Sequence, residues 1–525
     1  MGKLKSGSYI LPFWGKKGFI KGRDPLGMQI ASLTTYSILL PGLTSLTRRI
    51  RYYSFYCWLL EQYAQVEGHT DPAVFRRFIR RAELIFSFGM TICFPDSPAV
   101  VGNLWAEADL KKNRDYTEDF IVDIARGADI GSDRTYWKNF LGAFGQYYLG
   151  SLVSLDLIEE RRGNSGVYIC TKKGEQLSAA FSQAIDNTEK QIFLKAVKNG
   201  KITIAELRSA VTPISLDAII PLSEEWSLLK NILLAPDHPS NSTSFRRSTI
   251  SDFITFIKKG KAEEVDLFSE EVYETVLKKG FESATPCEKG WFIYQLNEFA
   301  HFAIETIFWG MLELIRRSPH LDMVEPLQTD ICGQVSKLLE DEFKVSKVDK
   351  MTTGQIVDEC RGLELTEIDL AMAIDGAIES NNIYAAIEKG VVLVLKVFVR
   401  NEKHLKSVVE FSKEHQMARE RDFADLLMFF QREMESDFLS TFKLLVKRNI
   451  INRHLQVAAR KMSGGLRNTL KFGFDEGRLF HIQTVAPQWT SPRTETLYQF
   501  LVDLKWLTGD GSLTPLGNEL LQELR

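Results

Sequence analysis

The sequence predicts a mainly α-helical, multi-domain protein that also contains small β-hairpins. Apolar residues recur at the three-to-four-residue spacing of a helix through long stretches, among them residues 365 to 462. Residues 291 to 317 are apolar nearly all round, which indicates a buried central helix. Because a chain of 525 residues is too long for a single hydrophobic core, we expect several domains.

The composition is that of an ordinary soluble globular protein, with 44 % hydrophobic and 25 % charged residues. No apolar run is long enough to cross a bilayer, and no apolar signal core follows Lys3 and Lys5. The six cysteines are far apart and form no CxxC pair, so we expect reduced thiols and no zinc site. These observations predict a cytoplasmic protein without a membrane partner.

Residues 39 to 63 concentrate aromatic and cationic side chains near the N-terminus. The turn dipeptide Pro41-Gly42 predicts that a helix begins shortly after it, with its aromatic residues on one buried face. Arg48, Arg49 and Arg51 then fall in the first turns, where a cation faces the unfavourable end of the helix dipole. Either a carboxylate of the same chain or an anionic partner, such as a phosphate backbone, would offset that cost.

The charge distribution also points to the N-terminal end. Nine Lys or Arg residues lie between residues 1 and 51, against the single acid Asp24, although the whole chain has a net charge of −3. A local excess of this kind is typical of a surface for nucleic acid or for an acidic protein. A solvated basic arm is the alternative.

Residues 137 to 181 give the clearest structural pattern: a helix, two short strands around a Gly-Asn-Ser-Gly turn, and a second helix. The end of the chain resembles it, with a helix, a tight turn at TGDGSL and a terminal helix that has Thr514 as N-cap and Pro515 at the first helical position. Both stretches contain Thr-x-x-Gly-x-x-Leu after the turn, beginning at Thr171 and Thr514. Helix, hairpin, helix forms the C-terminal part of a winged-helix unit, so we predict two winged-helix-like modules.

The remaining chain divides around these modules. Residues 236 to 249 are polar and rich in turn formers, which predicts a loop. The predicted domains are a basic arm and helical domain, a first winged-helix-like module, a connecting region, a helical bundle and a second winged-helix-like module, at residues 1–130, 131–190, 191–285, 286–450 and 451–525.

Sequence motifs of well-known enzymes are absent, including the phosphate-binding loop, GxSxG and HExxH. Glu298, His301 and Glu305 share one side of a helix, but a dimetal site would need a second Glu-x-x-His helix. A polar cluster satisfied within a helical core is the favoured interpretation, and we expect neither a metal nor another cofactor.

Arg448-Asn449-x-x-x-x-His454 resembles the Arg-polar-x4-6-His motif of HEPN ribonucleases. The resemblance implies metal-free cleavage of RNA, with general acid–base chemistry at the ribose 2′-hydroxyl. An intermediate interpretation of the same segment is a basic surface that contacts phosphate.

The stretches GRDPLG (22 to 27) and LLPGLTSLTRRIRYYSFYCWLL (39 to 60) resemble the N-terminal signature of an uncharacterised bacterial family associated with antiphage defence and restriction loci. Ile50 stands where that family usually has Ala. The resemblance implies a bacterial cytoplasmic setting and a multi-protein defence complex, and it supplies no catalytic residues.

Together these observations predict a non-enzymatic nucleic-acid-binding or adaptor component of such a complex, with DNA, RNA or other defence proteins as partners. The alternatives are a HEPN-like ribonuclease and a scaffold or regulated substrate for a partner effector. The residues predicted to contact nucleic acid are Arg48, Arg49, Arg51, Arg460, Lys461, Arg467 and Lys471.

Overall fold

The computed structural model describes residues 24–68, 71–112, 117–163, 166–234, 241–318, 320–417, 422–463 and 468–524. The helices of the N-terminal half are α1 (Gln29–Leu39), α2 (Arg51–Glu67), α3 (Pro72–Cys93), α4 (Asn103–Leu110), α5 (Ile124–Ala128), α6 (Leu149–Ser154), α7 (Lys172–Ser182), α8 (Asn187–Asn199), α9 (Ile204–Val211), α10 (Glu224–Leu234) and α11 (Asn241–Lys258). A π-helical turn, Phe144–Tyr148, leads into α6.

The helices of the C-terminal half are α12 (Phe268–Lys279), α13 (Pro286–Arg317), α14 (Val324–Phe343), α15 (Thr353–Gly362), α16 (Glu367–Glu379), α17 (Ile383–Asn401), α18 (Leu405–Glu414), α19 (Phe423–Arg432), α20 (Phe438–Leu445), α21 (Arg453–Ser463), α22 (Thr494–Asp503) and α23 (Pro515–Leu524). A second π-helical turn, Val446–Asn452, joins α20 to α21. Short 3₁₀ turns occur at Val265–Leu267, Phe281–Ser283, Val348–Lys350 and Glu402–His404.

Strands are few and short, and they pair as three antiparallel two-stranded sheets within the described residues. The strands are β1 (Ile121–Asp123), β2 (Ile158–Glu160), β3 (Tyr168–Cys170), β4 (Lys201–Thr203), β5 (Phe472–Asp475) and β6 (Arg478–His481). They pair as β1 with β4, β2 with β3, and β5 with β6. The mainly α class with small hairpins is therefore confirmed.

The chain forms two compact units, and each is discontinuous in sequence. Unit A contains the chain up to Tyr36 together with Ser269–Thr490, and unit B contains Ser37–Phe268 together with Ser491–Arg525. The segment predicted as 451–525 contributes to both units. The five-domain division is finer than these units and stays a prediction.

Unit A is built around α13, the helix predicted to be buried. Thr285 caps it and accepts a hydrogen bond from the backbone N–H of Glu288, and Pro286 occupies the first helical position. Nearly every residue from Trp291 to Ile315 is buried, mainly against α17. The helix α13 is apolar around its whole circumference because it is buried on all sides, as the sequence indicated.

Unit B is organised around α2, whose aromatic side chains are buried as predicted. The ring of Phe55 lies 4.4 Å from that of Phe86, and Tyr52 lies 4.7 Å from Tyr148. The predicted helix start was too early, because α2 begins at Arg51. Thr44 and Thr47 cause the delay: each accepts a hydrogen bond from the other's backbone N–H, at 3.1 to 3.2 Å, which closes a turn ahead of the helix.

The helix–turn–helix stretches of the two predicted modules, 137–181 and 494–524, lie in unit B, and the Thr-x-x-Gly pattern has the same role in each. Thr171 accepts a hydrogen bond from the N–H of Gly174 at 3.4 Å, and Thr514 accepts one from Gly517 at 3.1 Å. Each threonine also donates at 2.6 Å to the carbonyl of a residue with positive φ, Asp156 or Lys505, in the turn directly after the module's first helix. The strands β2 and β3 form the first wing, and a single bridge between Leu507 and Leu513 forms the second.

Two local predictions need correction or addition. The loop expected at 236 to 249 is helical from Asn241, because α11 buries Phe245, Ile250 and Phe253; residues 235–240 lie outside the described residues. Burial of one apolar face here outweighs a polar, turn-rich composition. The hairpin of β5 and β6 was not predicted, although Glu476-Gly477, both with positive φ, forms its tight turn.

Candidate anion-binding groove

Two of the three N-terminal arginines are used inside unit B. Arg49 is 1 % exposed and donates from Nε to Asp503 at 2.9 Å and from Nη2 to Asp217 at 2.5 Å. Arg51 is fully buried and donates to both carboxylate oxygens of Glu225 at 3.0 Å. The intramolecular carboxylates considered as one alternative are therefore present.

Only Arg48 of this group remains at the surface. Its side chain is half exposed and pairs with Glu495 at 2.5 Å.

Burial raises the pKa of Asp503 above its usual range even beside Arg49, as expected when charges are removed from water. To bind an anion from outside the chain, Arg49 and Arg51 would first have to break their ion pairs with the carboxylates.

The basic helix α21 holds the turn formed by residues 24 to 27 in unit A. Lys461 donates from Nζ to the carbonyl of Asp24 at 2.7 Å, and His454 donates from Nδ1 to the carbonyl of Pro25 at 3.0 Å. Arg453 bonds the next two carbonyls, those of Leu26 and Gly27. Three neighbouring basic side chains thus hold four consecutive carbonyl groups of the Asp-Pro-Leu-Gly stretch.

The predicted ribonuclease residues take part in this same packing. The Nε2 atom of His454 accepts a hydrogen bond from the backbone N–H of Lys471 at 2.9 Å, so both ring nitrogens contact backbone groups. Burial lowers the pKa of His454 to about 4. Arg448 pairs with Asp425 at 2.7 Å, and Asn449 is buried. In this arrangement neither nitrogen of His454 is available to a ribose hydroxyl.

The other predicted basic contacts are placed differently from one another. Arg460 is exposed on α21, whereas Lys471 is buried and donates to Gln483 at 2.9 Å. Arg467 lies outside the described residues. Of the described residues predicted for the C-terminal basic surface, Arg460 is therefore exposed to solvent and Lys461 is partly exposed.

Glu298, His301 and Glu305 form the expected buried polar cluster in α13, but the cluster is not fully satisfied, because His301 Nδ1 has no hydrogen-bond partner among the described residues. His301 Nε2 lies 3.0 Å from Glu298 Oε1, and its Nδ1 lies 3.7 Å from Glu305 Oε1. Thr490 donates to Glu298 at 2.7 Å, and Gln29 donates to Glu305 at 2.9 Å. Burial alone would lower the pKa of His301, but the two carboxylates raise it to about 9.

A groove in unit B collects cations that the sequence did not single out as a set. It lies between the last turn of α2, the first half of α3 and the face of α8, and it has a volume of about 660 Å³. Its apolar lining consists of Val66, Val74, Phe78, Leu194 and Val197, and its basic lining consists of Arg77, Arg81, Lys195 and Lys198. We call it the basic groove.

The charges of the basic groove are unbalanced. Arg77, Lys195 and Lys198 are exposed and have no ion-pair partner among the residues that the structure describes. Among the described residues lining the groove, Glu67 is the single acid. Cations without intramolecular partners around a concave surface favour an anionic ligand.

Arg81 fixes the two sides of the groove to each other. Its guanidinium pairs with Asp129 at 2.6 Å and donates from Nη1 to the carbonyls of Val197 and Lys198 at 3.1 and 2.7 Å. A side chain of α3 thus bonds the last turn of α8. These bonds are made within the chain itself, and they fix the separation of the two basic rims.

The wing of the first module reaches one end of the groove. Arg161, in the loop between β2 and β3, donates to the carbonyl of Gly68 at 3.4 Å. Gly68 caps α2 directly after Val66 and Glu67, which line the groove. The neighbouring Arg162 is exposed, but the exposed Glu159 and Glu160 precede the two arginines, so the wing adds no net charge beside the groove.

Arg76, Arg77, Arg80 and Arg81 are close together in the sequence of α3, at the spacing of one helix face. The structure separates them, because Arg80 is buried and donates to the carbonyls of Ala128 and Trp137 at 2.6 and 3.0 Å. The lysines of α8 come from a helix more than a hundred residues later. No local pattern joins the two helices, and only their packing creates the groove.

Comparison with protein-family models, curated proteins and solved structures finds no significant match. Within the described part of the chain, no helix combines the length and the apolar character needed to cross a membrane. The described residues also contain no cluster of three or more side chains suited to hold a metal ion.

Proposed function

We propose that this chain is a non-enzymatic nucleic-acid-binding component of a bacterial defence complex, and that the basic groove is its binding site. The observation that carries the proposal is a set of three exposed cations around one concave surface, Arg77, Lys195 and Lys198, with no ion-pair partner among the described residues. Lys and Arg side chains that replace counterions on a phosphate backbone supply most of the sequence-independent affinity for nucleic acid.

The two winged-helix-like modules and the N-terminal signature support the setting of the proposal. A winged-helix module is common in DNA-binding proteins, and here the wing of the first module lies beside the groove, where Arg161 donates to the carbonyl of Gly68. The resemblance to a family associated with antiphage defence supports a bacterial cytoplasmic setting. Neither feature identifies the target sequence, because fold alone does not determine function.

An adaptor function is the second candidate, and one feature favours it. The helical stretch before the first wing exposes Gln146, Gly150, Val153 and Ser154, and Phe140 nearby is 67 % exposed. The exposed apolar side chains of Phe140 and Val153 suit a protein partner better than a phosphate group. Co-purification of a neighbouring gene product that is lost with Phe140→Asp and Val153→Asp would support the adaptor function.

The test of the main proposal is fluorescence anisotropy with labelled DNA and RNA at low salt. Arg77→Gln, Lys195→Gln and Lys198→Gln, combined in one variant, should weaken binding at least tenfold. They should also lower the slope of log K against log [salt] by about 2 to 3, since each lost phosphate contact contributes roughly 0.7 to 0.9.

The matched control neutralises three exposed lysines on helices of unit A, Lys337, Lys406 and Lys413. This control changes the net charge of the chain by the same amount and should leave both affinity and salt slope unchanged. Equal weakening in the two triple variants would reduce the effect to overall charge. Absence of binding to any nucleic acid at low salt would refute the proposal.

A further inference from the structure

We infer that the basic groove takes single-stranded nucleic acid, with an unstacked base against the apolar lining and the adjoining phosphates against the basic rims. This inference rests on the proposed function and names its ligand class. The groove combines two kinds of surface. Its apolar lining includes Val66, Leu194 and Val197, and its basic rims include Arg77 and Lys195.

The apolar lining makes the groove better suited to bind a single strand than a duplex. A duplex presents phosphates and sugars on its outside and keeps its bases stacked, so it would leave Val66 and Leu194 facing water. Val66 is 52 % exposed, and Leu194 is half-buried, so covering both removes apolar surface from water. A single strand can turn a base inward to cover this surface while its backbone remains at the rims.

The dimensions of the groove agree with a contact of a few nucleotides. A volume of about 660 Å³ lies within the range of roughly 300 to 1,000 Å³ that is usual for small-ligand sites. The lining is mostly aliphatic, with the edge of the largely buried Phe78 as its one aromatic group among the described lining residues. Such a lining accepts any base by apolar contact, so we expect little sequence preference.

The rims lie on opposite sides of this lining. Arg77 and Arg81 belong to α3, whereas Lys195 and Lys198 belong to α8. A backbone that passes between the two helices therefore meets a cation on either side.

The experiment compares labelled oligo(dT) and oligo(U) of twelve nucleotides with a twelve-base-pair duplex, by anisotropy on the full chain at 50 mM salt. We expect the single strands to bind at least tenfold more tightly than the duplex. Val66→Asn combined with Leu194→Asn should weaken single-strand binding about five- to twentyfold. Because these changes leave the phosphate contacts in place, the salt slope should stay unchanged, and so should the weak duplex binding.

Val66→Asn alone is the second variant, since Val66 is more exposed and its replacement tests the lining with less demand on folding. It should weaken single-strand binding at least threefold. Melting temperatures of all variants provide the folding control.

The outcomes separate the inference from the proposed function. If duplex and single strand bind equally, or if Val66→Asn leaves the preference unchanged, the inference is overturned while nucleic-acid binding stands. If no nucleic acid binds, both fail. If a labelled acidic amphipathic peptide binds instead and Arg77→Gln abolishes it, the groove is a peptide site, and both proposals are also overturned.

Discussion

Replacing Arg51 by Met should unfold unit B more readily without any specific effect on a ligand. Arg51 donates to both carboxylate oxygens of Glu225 at 3.0 Å and to the carbonyls of Pro213 and Ser215, and its guanidinium lies 4.9 Å from the ring centre of Phe181. Arg51→Met leaves the buried carboxylate of Glu225 without its cation, and breaking a buried pair in this way costs about 3 to 5 kcal/mol.

A double-mutant cycle measures how much of that loss belongs to the pair. Arg51→Met with Glu225→Leu removes both charges, so we expect the double variant to lose only about 1 to 2 kcal/mol, because no unpaired charge remains buried. Arg48→Met is the surface control. Its pair with Glu495 is half exposed, and its loss should cost less than about 1 kcal/mol.

The assay is equilibrium unfolding in urea followed by tryptophan fluorescence, with the free energy of unfolding of each variant taken from the transition that Arg51→Met shifts. A loss below about 1 kcal/mol for Arg51→Met would refute the structural role. The same conclusion would follow if Arg51→Met removed nucleic-acid binding but left the free energy of unfolding unchanged.

Three further predictions concern the modules, a buried carboxyl group and the HEPN-like motif. Gly174→Ala and Gly517→Ala should each lower the free energy of unfolding in urea by about 1 to 3 kcal/mol or more, because an added Cβ would lie 2.1 Å from a backbone oxygen. The control is Gly333→Ala in α14, where the added Cβ meets open space, and it should raise the free energy of unfolding by about 0.5 to 1 kcal/mol. Burial raises the pKa of Glu83 to about 8, so the native state holds a proton that the unfolded state releases above about pH 4.5. The melting temperature should therefore fall as pH rises from 4.5 to 8. The variant Glu83→Gln, which cannot release this proton, should lose that part of the fall. RNA incubated in EDTA should show no cleavage that depends on His454, because both of its ring nitrogens contact backbone groups; cleavage by the wild type that His454→Ala abolishes would contradict this.

Local sequence patterns predicted the elements whose causes are local. The cap at Thr285 and the apolar circumference of the helix behind it identified α13. The repeated Thr-x-x-Gly identified both modules, because the threonine bonds a residue only three positions away and the glycine avoids a backbone oxygen. Patterns of this kind need no knowledge of distant parts of the chain.

Predictions that depended on distant partners were less complete. The carboxylates that neutralise Arg49 and Arg51 come from positions 217, 225 and 503, which no spacing rule connects to the N-terminus. Arg77 and Lys195 likewise become neighbours around one groove only when α3 packs against α8. Tertiary packing decides which cations are neutralised and which remain available to a ligand.

The most direct test of the central proposal is photocrosslinking of a single-stranded oligonucleotide that carries 4-thiothymidine, with the adducts located by mass spectrometry. The proposed site predicts adducts on peptides covering residues 66–81 and 191–198, and their loss when Arg77, Lys195 and Lys198 are replaced by Gln. Adducts confined to other surfaces, such as the exposed face of α21 around Arg460, with none at the groove, would contradict it.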